Sequence, residues 1–66
     1  MTKFMPRSKE WTNARKTFLS NPGKYVDAKP YDGYLKWLRQ FGAMESNQII
    51  IIVDEVDASA FKLRFG

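Results

Sequence analysis

The 66-residue chain has neither cysteine nor histidine. Without cysteine no disulfide can staple the fold, and no thiolate can act as nucleophile or metal ligand. Without histidine the usual general base and the commonest zinc ligand are missing as well. No apolar run approaches the ~20 residues that a membrane-spanning helix needs. The basic start MTKFMPRSK is followed by no hydrophobic segment, so no secretory signal is expected. No internal repeat, low-complexity tract or linker divides the chain. These absences point to one small domain over residues 1–66, cytoplasmic, with no membrane contact, no cofactor, no metal, no small-molecule substrate and no enzymatic activity.

Aromatic side chains and positive charge are plentiful. Five phenylalanines, three tyrosines and two tryptophans crowd a chain near the lower size limit for folding alone, and the net charge is +4. The charge is uneven. Residues 1–41 carry nine Lys/Arg against three acids, whereas residues 42–66 carry two against four. A basic helical half and an acidic β half would make a dipolar molecule.

Ser8 has the character of an N-cap, and Trp11, Ala14, Phe18 and Leu19 fall on one arc at helical spacing, which predicts a helix over about 8–20. Asn21-Pro22-Gly23 ends it. Asp27 is a candidate cap for a second helix over about 29–41, with Pro30 in its first turn. There Tyr31, Tyr34, Leu35, Trp37, Leu38 and Phe41 form a broad apolar stripe. Gln48–Val53 is β-branched and reads as a strand. Phe61, Leu63 and Phe65 alternate with Lys62 and Arg64, which favours a second strand, although Asp57 before Ala58-Ser59-Ala60 is also a fair helix start. The expected fold is therefore α+β: two amphipathic helices packed on a small antiparallel β-hairpin or sheet, in the order helix-helix-strand-strand. A third strand from Phe4-Met5 or Tyr25-Val26 is an option.

The acids Asp54, Glu55 and Asp57 invite a Ca²⁺ or Mg²⁺ site, but no glycine marks a sharp turn and no distal bidentate glutamate follows. They read instead as the solvated tip of a hairpin. Ile49–Val53 is apolar on both strand faces, and two helices cover only one. The second face then needs a further element, a second copy or a partner protein. Arg15 projects into the apolar arc beside Trp11, either as a long stem laid on the core or as a cation–π partner. Trp11, Arg15, Trp37, Ile50 and Ile52 are accordingly the candidate partner-binding residues. The alternative is a nucleic-acid surface on the helical half, built from Arg7, Lys9, Lys16, Lys36 and Arg39, with Trp37 available to stack on a base.

The tail VDEVDASAFKLRFG, with Asp57-Ala58, Phe61-Lys62-Leu63 and a final aromatic-glycine, resembles the endings of small uncharacterised tailed-bacteriophage proteins. The likeness covers about a quarter of the chain. It implies a phage origin and action in the host cytoplasm, and it carries over no catalytic or binding residue. Small phage accessory proteins commonly bind a host enzyme or nucleic acid. The expected function is therefore that of a non-enzymatic accessory protein that binds a host protein or a second copy of itself (a homodimer through the apolar strand), with nucleic-acid binding as the alternative.

Overall fold

The computed structural model describes all residues, 1–66. It shows an α+β fold with three helices and a three-stranded antiparallel sheet. Strand β1 (Thr2–Phe4) is followed by helix α1 (Lys9–Ser20), a 3-10 turn (Gly23–Tyr25) and helix α2 (Pro30–Arg39). Strands β2 (Ala43–Ser46) and β3 (Ile49–Ile52) then form a hairpin, and helix α3 (Glu55–Phe65) closes the chain. The strand order is β1-β3-β2, so the isoleucine strand is central.

The two expected helices form close to where the pattern puts them. The Ser8 hydroxyl accepts the Trp11 amide at 3.4 Å and caps α1. Pro30 opens α2, where its missing N–H costs nothing. Asp27 does not cap that helix. Its carboxylate accepts the Lys29 amide at 3.0 Å and holds the Lys36 ammonium at 3.2 Å. The Lys29 amide first, and Lys36 second, keep this carboxyl below the usual range. Gly33 has a packing role beyond its poor helix propensity. A Cβ there would collide with the Tyr25 carbonyl oxygen, so α2 can lie this close to the 3-10 turn only with glycine.

The hairpin differs from the expected one. Its strands are β2 and β3, and its loop is Asn47-Gln48, both with positive φ (51° and 64°). Two left-handed residues make the type I′ geometry that suits the twist of a two-residue hairpin. The Trp11 indole N–H donates to the Gln48 carbonyl at 2.8 Å and ties this loop to α1. The third strand comes from the N-terminus, near the Phe4-Met5 option and away from Tyr25-Val26.

The expected strand at 61–65 is a helix, and the acids are not a hairpin tip. Asp54 caps α3, its carboxylate accepting the amides of Val56 (2.8 Å) and Asp57 (3.2 Å). Glu55 and Asp57 sit in the first turn and Lys62 and Arg64 in the last, which complements the helix dipole at both ends. Ala58, Phe61 and Phe65 are buried at i, i+3 and i+7, while Val56 and Leu63 face solvent. Apolar residues on both sides of α3 blur its helical period, and Phe-Lys-Leu-Arg-Phe then imitates a strand.

The helices and the inner sheet face enclose one core of Phe4, Ala14, Phe18, Tyr34, Trp37, Leu38, Ala43, Ile50, Ile52, Ala58, Phe61 and Phe65. Its rings run in a chain of contacts from Phe4 through Phe61, Phe65, Trp37 and Phe18 to Tyr34, with centroids 4.6–5.7 Å apart. Six of the ten aromatics are buried and three more pack against the core, leaving Tyr31 half-exposed. The other exposed large apolar residues are aliphatic or methionine. Leu19, expected on the core side of α1, is among them.

Candidate functional site

Register decides which residues share a sheet face. Ile50 pairs with Phe4 on one side and Glu45 on the other, and Ile52 pairs with Thr2 and Ala43. This set points to the helices, and both isoleucines are 0 % exposed. Ile51 pairs with Lys3 and Met44, and Ile49 with Ser46. Continued by one residue, the same register brings Met5 beside Ile49 and Met1 beside Val53. Because side chains alternate along a strand, these residues all lie on the opposite face.

No element covers that face. Met1 is 70 % exposed, Val53 66 %, Met5 55 % and Met44 54 %, and Ile49 and Ile51 are partly exposed. All three methionines of the chain stand here beside three β-branched aliphatics. Lys3, exposed in the middle row, is the one charged side chain among the outward positions. Methionine is flexible and polarisable, which suits a surface that must adapt to another. Exposed apolar groups gathered on one sheet face, rather than scattered, make this face the candidate surface.

The candidate surface expected from the sequence is therefore corrected in parity. Ile50 and Ile52 are core residues, because the face they share with Phe4 and Ala43 is the one the helices cover. Trp37 is buried among Phe18, Phe41 and Phe65 and can neither anchor a partner nor stack on a base. Trp11 is partly buried with its N–H engaged. Met1, Lys3, Met5 and Met44 were not singled out by pattern, since strands 2–4 and 43–46 are too short to stand out, whereas Ile49, Ile51 and Val53 lie in the run read as an apolar strand, on the face opposite to the one expected to be open. The one local signal is alternation of Thr-Lys-Phe-Met at positions 2–5, with Lys3 and Met5 on one side.

Arg15 is held rather than free. Its guanidinium lies 4.0 Å from the Trp11 ring centroid and 4.9 Å from that of Tyr34, a cation between two π faces. It donates to both carboxylate oxygens of Glu45, at 3.0 and 3.2 Å, and the Glu45 side chain is fully buried. The Tyr31 hydroxyl donates to the same carboxylate at 2.7 Å. That bond to a carboxylate raises the Tyr31 phenol above its ordinary range. Burial raises the Tyr34 phenol further, and its hydroxyl has no partner. Glu45 lies on the inner face beside Ile50, so its charge must be neutralised from α1, and Arg15 supplies this. The carboxylate and guanidinium are engaged with each other, so this cluster holds the hairpin to the helices.

The five cations of the alternative surface, Arg7, Lys9, Lys16, Lys36 and Arg39, are all exposed. They are spread over the β1–α1 turn, α1 and α2, and Lys36 is bound to Asp27. No group of three or more acidic side chains is placed to hold a metal ion, so Asp54, Glu55 and Asp57 form no cation cluster. No helix is long and apolar enough to cross a membrane. Searches for relatives find no matching family, no matching curated protein and no matching solved structure.

Proposed function

We propose that this protein is a non-enzymatic binding module that works by protein–protein contact through the open face of its sheet. One observation carries this reading: three methionines, Ile49, Ile51 and Val53 share a sheet face that no helix covers. The phage-like closing segment supports a host protein as the partner.

The test is retention of a partner by immobilised protein from bacterial lysate, compared between the parent chain and Ile51→Asp after nuclease treatment and at high salt. The parent chain retains a protein under all these conditions, because an apolar contact depends little on screening. Ile51→Asp loses it while keeping its fold. A nucleic-acid complex would behave in the opposite way, weakening steeply as salt rises. It would survive Ile51→Asp and fail in Lys36→Glu or Arg39→Glu. That pattern would replace the present reading.

A further inference from the structure

The open face has a size, a shape and a charge that together specify what fits it. Three strands at ~4.8 Å spacing and five residues at ~3.4 Å rise give a face of roughly 14 by 17 Å. That is about 240 Å² in plan, so any occupant of this face, copy or partner, makes a contact smaller than the standard stable interface.

A second copy fits poorly because it strands Lys3. A two-fold axis along the strands sets β1 over β2, so that Lys3 meets Met44. A two-fold axis across the strands sets β1 over β1, so that Lys3 meets itself. No acidic side chain occupies an outward position in any row: the rows are Met1/Val53, Lys3/Ile51/Met44 and Met5/Ile49/Ser46. A closed, self-complementary contact therefore buries a lysine against hydrocarbon or against like charge.

An α-helix with its side chains is about 10–12 Å across, and about 11 residues of it span 17 Å. One such helix covers the face along the strands and turns two layers into three, helices on one side of the sheet and the visiting helix on the other. Its apolar stripe, at i, i+3, i+4 and i+7, would lie on Ile51 with Met5, Met44 and Ile49 adapting around it. The charge that Lys3 lacks must then come from the visitor.

Resting on the reading of this face as a protein-binding surface, we infer that its occupant is an amphipathic helix of another protein, about three turns long, carrying a carboxylate beside its apolar stripe to pair with Lys3.

Two 16-residue peptides test this, identical in a leucine stripe at helical spacing and differing only in glutamate or lysine beside it. Labelled peptide titrated with the full chain gives affinity, and amide shift mapping gives the location. The glutamate peptide is expected to shift resonances of β1, β2 and β3 and to bind about tenfold more tightly than the lysine peptide, and Lys3→Glu is expected to invert that order. A tenfold ratio is about 1.4 kcal/mol. Equal affinities that Lys3→Glu leaves unchanged, shifts confined to the helices, or no binding by either peptide would each overturn the inference. So would a dimer of the parent chain in sedimentation that Ile51→Asp dissociates, since the occupant would then be a second copy. Failure here is separable from failure of the face itself. If no peptide binds but lysate capture still depends on Ile51, the helix is wrong and the face stands.

Discussion

Ile50 and Ile51 are neighbours of identical chemistry with opposite surroundings. Ile50 lies under the helices with Phe4 and Glu45 on either side, while Ile51 lies between Lys3 and Met44 on an uncovered surface. The two sheet faces differ in the same way throughout. The inner face carries the large rings and one buried carboxylate, with Arg15 and Tyr31 satisfying it. The outer face carries aliphatic and thioether side chains and one unpaired ammonium. A strand apolar on both sides is thus two surfaces, one that stabilises the fold and one left uncovered.

The widest separation should come from placing the same residue on each face. Ile50→Asp puts an unpaired carboxylate in the core, where burial costs more than a domain of this length can spare, its whole stability being roughly 3–10 kcal/mol. The variant is expected to be unfolded by circular dichroism. Native-like near-ultraviolet dichroism would show that the inner face is not sealed.

Arg15→Ala should be the next largest effect. It leaves the fully buried Glu45 without its counter-charge and is expected to cost about 3–5 kcal/mol in denaturant unfolding. A loss below about 1 kcal/mol would mean that Glu45 reaches water, and the inner face would be less distinct from the outer than the geometry indicates.

Tyr34→Phe should matter less and in a pH-dependent way. Native Tyr31 and Tyr34 ionise only above the ordinary tyrosine range, whereas in the unfolded chain both ionise at about 10. Stability present below about pH 10 therefore falls as pH rises beyond it, because the unfolded chain releases protons first. Removing the Tyr34 hydroxyl, which has no partner, is expected to cost nothing at pH 7 and to move alkaline unfolding upward. An unchanged alkaline limb would count against its burial.

Ile51→Asp should perturb stability far less than Ile50→Asp, within about 1 kcal/mol, since it replaces an outward strand residue with solvent on its side. Thermal unfolding reads this directly. A loss comparable to that of Ile50→Asp would erase the distinction between the faces.

Local chemistry was sufficient for α1 and α2. Ser8 and Pro30 mark their starts, and Trp11, Ala14 and Phe18, then Tyr34, Trp37 and Leu38, supply stripes that belong to a helix alone. The class α+β follows once a β-branched run is added. Helix α3 was half-legible: Asp54, two first-turn acids and two last-turn bases are terminal signals, but Val56 and Leu63 on the wet side cancel the period. Strands β1 and β2 have three and four residues, too few to show a pattern, and they exist because the isoleucine strand supplies hydrogen-bonding partners on both edges.

By itself, then, the sequence determined the two long helical stripes and an apolar strand that no two-helix cover could hide on both sides. Only the tertiary structure decided which side was hidden. Four consecutive isoleucines carry no parity, so a shift of one residue leaves their local chemistry unchanged. The choice falls to pairing with Phe4, Ala43 and Glu45 and to the ion pair that Arg15 brings from another element. Those contacts join residues far apart in the chain, and they turn Ile50 and Ile52 inward and leave Ile49 and Ile51 outside.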